Sequence, residues 1–140
     1  MKKTKTLLRV VPLLLLTLIL LAACATVPAS WEDAKYTEDT TVGDGATAVT
    51  IKVTADEKTV TITLNTDKTD LAEAMLAEGL CAGEEGAYGL YIKYVNGIRA
   101  DYDLDGGYYW KLTVNGEDSM VGASGTPIVS GTVYEFIRAK

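Results

Sequence analysis

The sequence contains no histidine, and this absence excludes several kinds of site. Histidine is the most common metal ligand and general base in proteins, so Ser-His and Cys-His nucleophile pairs cannot form. A phosphate-binding loop, a zinc-type cysteine spacing and a nucleophile elbow are also missing from the sequence. A carboxylate pair could serve in acid-base chemistry, but the sequence indicates no pocket around one. We therefore expect a protein that is not an enzyme.

Basic residues are few, and several of them lie at the start of the chain. The 140 residues hold 13 Lys and Arg against 19 Asp and Glu. If the N-terminal segment with Lys2, Lys3, Lys5 and Arg9 is removed, nine basic residues remain against 19 acidic ones, a net charge of −10. Such a chain lacks the basic surface whose release of counterions drives binding to nucleic acid. We exclude nucleic acid as a partner.

The first 24 residues have the pattern of a secretory signal. The apolar run from Val10 to Ala23 follows four positive charges and is shorter than the ~20 residues that a membrane-spanning helix needs. It ends in Leu21-Ala22-Ala23-Cys24, which resembles the bacterial lipoprotein signal, in which a lipid is attached to the cysteine before cleavage. This resemblance implies a signal peptide over 1–23 and a lipid on Cys24 that holds the protein on the extracytoplasmic side of a bacterial cell membrane. The alternative is an ordinary signal peptide beside a chance cysteine.

A polar segment and one domain follow the signal. Residues 25–45 are acidic and rich in turn-forming residues, without periodicity, so 24–46 are predicted to be a flexible tether and 47–140 a single domain. Within the tether, Trp31 and Tyr36 either dock on the domain, lie at the membrane surface or contact a partner. Cys81, with Cys24 lipidated, is left without a disulfide partner and is expected to be a small packing residue.

The domain begins with a hairpin and a helix. Apolar residues alternate from Thr47 to Thr54 and from Thr59 to Leu64, on either side of a short turn, which predicts two antiparallel strands. The period then becomes helical, with a stripe that starts after the capping residue Thr69 or Asp70 and consists of Leu71, Ala72, Met75, Leu76 and Leu80. Gly79 fits the left-handed position at the helix end.

The segment from Glu85 to Gly116 holds six of the eight tyrosines and two Val-Asn-Gly sequences. Asn-Gly favours two-residue hairpin turns, so each copy predicts a turn after an alternating strand. A last strand is predicted from Val133 to Arg138. Two strands, a helix and then further strands are the order of a β-grasp-like α+β domain, in which a mixed sheet packs on one short helix.

The same residues carry a resemblance to a known family. Asp67-Lys68-Thr69 before the helix, Tyr88-Gly89-Leu90-Tyr91, the two Val-Asn-Gly turns, Tyr109-Trp110 and Tyr134-Glu135-Phe136 resemble the transcobalamin-like C-terminal domain of bacterial surface lipoproteins. In transcobalamin and intrinsic factor, the similar β-domain covers one face of a corrin ring that a helical domain also holds. The resemblance implies a corrinoid, such as cobalamin, as the ligand class. Because this sequence has no helical domain, it would supply at most half of such a site.

The resemblance implies a ligand surface on the loops around Tyr88, Trp110 and Met120–Gly122, where aromatic and backbone groups could cover a flat apolar ligand. Tyr91 and Tyr109, which lie off the main apolar face, are the better candidates for exposed stacking, whereas Trp110 and Tyr94 fit a buried core more often than a site. The full predicted set is Tyr88, Tyr91, Tyr109, Trp110, Met120, Val121 and Gly122.

An acidic turn offers a candidate metal site. Asp101, Asp103 and Asp105 alternate before Gly106, like the first half of a calcium-binding loop. The position of the bidentate glutamate is occupied by Leu112, so an exposed acidic turn without calcium is the alternative.

The leading interpretation is a membrane-anchored module that binds a small ligand, with a role in corrinoid binding or uptake, alone or beside a transporter. The alternative is a structural or adhesive surface domain that binds a protein or a glycan. An exposed apolar patch would favour the second.

Overall fold

The computed structural model describes residues 26–140. The predicted signal peptide and Cys24 lie outside the described residues. Within the described part, a 3₁₀ turn at Trp31–Asp33 is followed by one short α-helix and nine strands: β1 Thr40–Val42, β2 Thr47–Ala55, β3 Lys58–Thr66, α1 Leu71–Ala77, β4 Cys81–Gly86, β5 Gly89–Val95, β6 Ile98–Arg99, β7 Tyr109–Val114, β8 Glu117–Asp118 and β9 Val133–Ala139. None of the described helices has the length and apolar character needed to cross a membrane.

The strands form two sheets. The larger is mixed and has the order β1-β3-β2-β9-β7-β8, with parallel pairs β1–β3 and β2–β9. The smaller is antiparallel and has the order β4-β5-β6. The prediction of strands around one short helix is confirmed, but the prediction of a single sheet is wrong, because the strands form two. Tight turns pair β5 with its neighbours in sequence, so these three strands form a sheet of their own.

The core lies on one face of the larger sheet. In β2, Val49, Ile51 and Val53 are buried, and β3 repeats this alternation opposite them. Threonines occupy most of the other face of this hairpin. The predicted hairpin is therefore confirmed, and the remaining buried residues that complete the core include Leu71, Met75, Leu80, Val95, Ile98, Tyr134 and Phe136.

Helix α1 is short and is fixed at both ends. The Asp70 side chain caps it by accepting a hydrogen bond from the Glu73 N–H at 3.2 Å. Gly79 takes a φ of +64°, and the N–H of Leu80 returns to the carbonyl of Met75 at 2.8 Å. Leu76, predicted to face the core, is 45% exposed. The buried face of the helix consists of Leu71, Ala72, Ala74 and Met75 and is narrower than the stripe in the sequence.

The predicted tether is wrong for much of its length, because residues 29–42 lie against the domain. The indole N–H of Trp31 donates to the carbonyl of Ala55 at 3.0 Å, and strand β1 joins the edge of the larger sheet. The amide of Asn96 binds both backbone groups of Tyr36, at 2.9 and 2.8 Å. Apolar side chains of the segment, among them Trp31, Tyr36 and Val42, also pack against the core. Their partners are distant in sequence and their spacing is irregular, so the segment shows no apolar period.

Both Asn-Gly turns are confirmed. Asn96 and Asn115 have φ values of +52° and +49°, and the glycine after each is also at positive φ. The strands after the turns, β6 and β8, are only two residues long. Among residues 26–140, long stretches of β5 and β7 therefore have no partner strand on one side.

Candidate functional site

A cleft of about 390 Å³ lies between the two sheets. Its walls are apolar side chains of β5, β7 and β9, its mouth carries three tyrosines, and one side is formed by the loop between β8 and β9. The lining residues are Leu90, Tyr91, Ile92, Tyr102, Tyr109, Trp110, Leu112, Gly122, Ala123 and Phe136. Apolar walls with a few polar groups are typical of sites for small molecules.

The alternation of β7 positions its side of the cleft. Trp110 and Leu112 lie on the core face, opposite Arg138 and Phe136 of β9, and both are buried. Tyr109 is one residue away and is 39% exposed. One strand thus supplies an apolar wall and an accessible ring.

The loop from residue 119 to residue 131 is fastened to the helix and to β5. The N–H groups of Leu71 and Ala72 donate to the carbonyls of Thr126 and Ala123, at 2.9 and 3.3 Å. The second carboxylate oxygen of Asp70 accepts the Gly125 N–H at 2.7 Å. These bonds satisfy backbone donors at the helix start and hold Ala123 at the cleft.

The structure brings four of the seven predicted ligand-binding residues to the cleft. Tyr91, Tyr109, Trp110 and Gly122 line it. Tyr91 is 47% exposed, so it and Tyr109 have the accessible rings that were expected. Trp110 is buried, as expected of a core residue, and nevertheless forms part of the wall.

The other three predicted residues lie elsewhere. Tyr88, in the tight turn between β4 and β5, and Met120, in the loop, are almost completely exposed and do not line the cleft. Val121 lines a different cavity. The prediction that Tyr94 is a core residue is wrong, because the residue is 40% exposed. The bulge in the β4–β5 pairing lies next to it and shifts the alternation of β5.

Sequence reasoning missed most of the apolar wall. Leu90 and Ile92 were not predicted to lie at a cleft. Leu112, Ala123 and Phe136 were likewise not predicted to lie there. These residues belong to strands in which apolar side chains alternate with polar ones. Such alternation does not distinguish a core position from the wall of an open cleft.

The indole nitrogen of Trp110 has an unusual environment. Trp110 is 9% exposed, and its Nε1 is buried without a hydrogen-bond partner among residues 26–140. By contrast, the Trp31 indole donates to the Ala55 carbonyl. An unpaired buried donor costs free energy, so such a group calls for a specific explanation.

The second cavity, also of about 390 Å³, lies beneath the loop. Val114, Val121 and Pro127 are among its lining residues. The hydroxyl of Tyr134 donates to the Pro127 carbonyl at 2.7 Å and accepts the Val129 N–H at 3.1 Å. Its phenol is thus already used in holding the loop.

The acidic turn contains a chain of ion pairs. Asp105 is buried and is bound by Arg99 through Nη2 at 2.8 Å and Nε at 3.0 Å, which holds the pKa of Asp105 below its ordinary value. Asp101 accepts the Leu104 N–H at 3.2 Å and pairs with Lys93 at 3.3 Å, and these contacts lower its pKa as well.

These contacts use carboxylate oxygens that a metal ion would need. Asp101 and Asp105 are engaged by protein donors, whereas Asp103 is exposed. Within residues 26–140, no three or more carboxylate or cysteine side chains are grouped so that they could hold a metal ion. The turn as it stands is organised by Arg99 and Lys93.

Comparison with known proteins places the cleft within a recognised sequence region. The family model described as "Domain of unknown function (DUF4430)" matches residues 69–136, which is just under half of the chain and includes every residue that lines the cleft. No protein among the curated sequences matches.

Solved structures share the fold. A protein of Ruminococcus gnavus ATCC 29149, described as a "putative metal binding protein", is 29% identical, with a TM-score of 0.63 over 68% of this chain and 98% of that one. Haptocorrin in complex with Cbi is 21% identical, with a TM-score of 0.51 over 71% of this chain and 26% of its own. The described domain thus matches nearly the whole of the first solved chain and about a quarter of the second.

Proposed function

We propose that this protein is a membrane-anchored extracytoplasmic module that binds a small ligand with a flat apolar surface, without catalysis. The observation that carries the proposal is the cleft between the two sheets, in which the buried Trp110 lies among apolar walls below the exposed Tyr91 and Tyr109. Aromatic rings at such a mouth can stack on a flat ligand, and apolar walls gain free energy when water leaves them.

The ligand class that we favour is a corrinoid. Haptocorrin, whose structure contains Cbi, has a similar fold, and the sequence motifs resemble the transcobalamin-like C-terminal domain. On this proposal the domain is β-grasp-like and acts as the β-domain of that family does. Because the chain is similar to 26% of haptocorrin, we expect it to cover one face of the ligand. The cleft volume fits an edge of a large ring rather than the whole of it.

Anchoring is part of the proposal and rests on the sequence. A lipid on Cys24 would hold the domain at the outer side of a bacterial cell membrane, where it could pass ligand to a transporter or to a surface protein. The ordered residues 29–42 would keep the domain close to the membrane, since little extended chain remains between Cys24 and the first contact with the domain.

A metal-binding role is favoured less by the geometry. The R. gnavus protein is described in those words, and the acidic turn from Asp101 to Asp105 was the candidate for calcium. Calcium at this turn would have to displace Arg99 from Asp105 and Lys93 from Asp101. We therefore expect millimolar calcium to leave the thermal midpoint of unfolding unchanged.

The second candidate function is adhesion to a protein or a glycan. Tyr88 and Met120 favour it, because both are almost completely exposed and lie outside the cleft. Large exposed apolar side chains are common at protein interaction sites. Adhesion would depend on these two residues and not on the cleft.

The test is calorimetric titration of the purified protein with cobalamin and with cobinamide. The blocking variant is Gly122→Leu, because Gly122 lines the cleft and a side chain there would enter open space. The matched control is Met120→Ala, outside the cleft. Saturable heat that Gly122→Leu abolishes and Met120→Ala preserves would support the proposal. Absence of heat from both ligands would contradict the corrinoid class.

A further inference from the structure

We infer that the acidic turn at residues 101–107 rests on the membrane surface, with the side chains of Tyr102 and Leu104 among the lipid headgroups beside the anchor. This inference rests on the proposed function, since it requires the lipid on Cys24, and it names the part of the domain that faces the bilayer. Three observations carry it: the route of the N-terminal segment, the exposed apolar side chains of the turn and the contacts that hold the turn in shape.

The N-terminal segment reaches the domain beside this turn. The carbonyl of Val27 accepts a hydrogen bond from Nη1 of the buried Arg138 at 2.6 Å. The side chain of Val27 also lies against Gly106, since a Cβ added at Gly106 would be 3.6 Å from Cγ2 of Val27. The backbone N–H of Ala29 then donates to the carboxylate of Asp56. The segment is therefore held against the domain from Val27 onward.

This route limits the distance between the turn and the bilayer. Val27 is three positions after Cys24, and even a fully extended chain of that length covers at most about 11 Å. A lipid on Cys24 therefore keeps the membrane surface close to a residue that contacts the turn. The six residues of β7 begin just after the turn and extend about 20 Å away from it, so the Asn115 turn lies at the far end of the domain.

The turn directs apolar side chains outward. Tyr102 is 59% exposed and Leu104 is 68% exposed, whereas Asp101 and Asp105 are buried. Tyrosine is common at the boundary between membrane and water, and an apolar side chain such as leucine gains free energy when it enters that boundary. Beside the anchor, these two side chains fit a lipid surface.

Hydrogen bonds of the turn hold these side chains in place. Oδ1 of Asp101 accepts the N–H groups of Asp103 and Leu104, at 3.0 and 3.2 Å. The carboxylate of Asp105 accepts the Asp101 N–H at 2.8 Å and is bound by Arg99. Two of the three carboxylates thus face the protein, and Asp103 is the exposed one. The acidic residues fix the shape of the turn, and its apolar residues make the contact.

Charge opposes this contact, so the contact requires the anchor. From Cys24 onward the chain has nine basic residues against 19 acidic ones, a net charge of −10. An anionic membrane surface repels such a domain, whereas a covalent lipid keeps it at a high local concentration near the bilayer.

The contact also places the cleft at the bilayer. Tyr102 lines the cleft and is at the same time exposed on the turn. A ligand that passes Tyr102 therefore enters or leaves beside the membrane, where a transporter could receive it.

The experiment uses the lipidated protein, purified from bacterial membranes and reconstituted in vesicles of phosphatidylethanolamine and phosphatidylglycerol. An Asp103→Cys variant carries a nitrobenzoxadiazole fluorophore, which nitroxide-labelled lipids quench on contact. The label goes to this position because Cys24 is blocked by its lipid and Cys81 is buried. We expect quenching at residue 103. The matched control is Glu117→Cys, an exposed site at the opposite end of β7, where we expect none.

A second substitution tests whether the apolar side chains make the contact. Leu104→Ser in the labelled protein should reduce quenching about fivefold, because the leucine side chain no longer enters the membrane. Tyr88→Ser is the control, since Tyr88 is also an exposed apolar residue but lies outside the turn, and it should leave quenching unchanged.

The outcomes separate the inference from the proposed function. Quenching at residue 103 that Leu104→Ser reduces and Tyr88→Ser preserves supports the inference. The inference is overturned by no quenching at residue 103, by equal quenching at residue 117, or by quenching that Leu104→Ser leaves unchanged. Each of these results leaves anchoring and ligand binding intact. Mass spectrometry of the same sample tests the anchor, and a Cys24 without lipid overturns both the inference and the proposed anchoring.

Discussion

The hydroxyl of Ser124 accepts a hydrogen bond from the backbone N–H of Leu90 at 3.0 Å. This bond joins the loop before β9 to the first residues of β5, at the cleft. Gly89, which has a φ of +99°, also lies close to Ser124. A Cβ added at Gly89 would lie only 2.4 Å from the Cβ of Ser124. The two sides of the cleft are therefore held in one arrangement before any ligand arrives.

Ser124→Ala should loosen this arrangement. The change leaves the Leu90 N–H without its partner, so we expect a loss of about 1–2 kcal/mol in the free energy of unfolding. Hydrogen exchange at the Leu90 amide should become faster. The matched control is Ser130→Ala, at an exposed serine in the same loop, which should change neither quantity. Unchanged exchange at Leu90 in Ser124→Ala would contradict this role.

Asn96→Ala should release the N-terminal segment from the domain. The side chain of Asn96 is fully buried and binds both backbone groups of Tyr36, so we expect a loss of about 2–3 kcal/mol. The control is Asn115→Ala in the equivalent turn, where the backbone strain is the same but the side chain accepts only from the Val133 N–H. That variant should lose about 1 kcal/mol, measured by urea denaturation. Equal losses would show that the turn, and not the bond to Tyr36, is responsible.

The Arg99–Asp105 pair should make stability depend on acid. Because Arg99 lowers the pKa of Asp105 in the folded state, the pair contributes fully above the ordinary value of 3.8 and is lost as pH falls through the lower folded pKa. Thermal midpoints of the wild type should therefore decrease steeply below about pH 4. Asp105→Asn should cost about 1–3 kcal/mol at neutral pH and show a shallower acid dependence. Parallel curves for the two proteins would contradict this assignment.

The thiol of Cys81 should be unreactive in the folded protein. Burial raises its pKa to about 11, so very little thiolate is present at pH 8. In a Cys24→Ser variant, where Cys81 is the remaining thiol, an aromatic disulfide reagent should react at least about a hundredfold more slowly before unfolding than after it in urea. Equal rates in both states would mean that the thiol is accessible in the folded protein.

Much of the fold could be predicted because local signals agreed. The alternation of β2 and β3, the Asp70 cap, Gly79 and both Asn-Gly turns each act over a few residues, and the structure contains all of them. Their physical basis is side-chain period and backbone conformation, which a single sequence shows directly.

The second sheet and the ordered N-terminal segment could not be predicted in the same way. The bond between Asn96 and Tyr36 joins residues 60 positions apart, and the division into two sheets depends on how all the strands pair together. Such contacts leave no period in either segment. That β4, β5 and β6 form a separate sheet is shown by the strand pairing in the structure.

Only part of the candidate site could be predicted, because only part of it follows from local patterns. Tyr91 and Tyr109 were identified because they fall off the apolar face of their strands, and Trp110 and Gly122 also lie at the cleft. Tyr88 and Met120 were predicted from the family resemblance, and the structure leaves both side chains almost completely exposed outside the cleft. To predict the apolar wall, one would have to know how far apart the two sheets lie, and no local sequence pattern contains that information.

The most direct test of the central claim is a crystal structure of the protein grown with saturating cobinamide. The account predicts the ring edge in the cleft between the sheets, with Tyr91 and Tyr109 at its faces. Cobinamide bound at Tyr88 or Met120, or an empty cleft at a ligand concentration that saturates in solution, would contradict it.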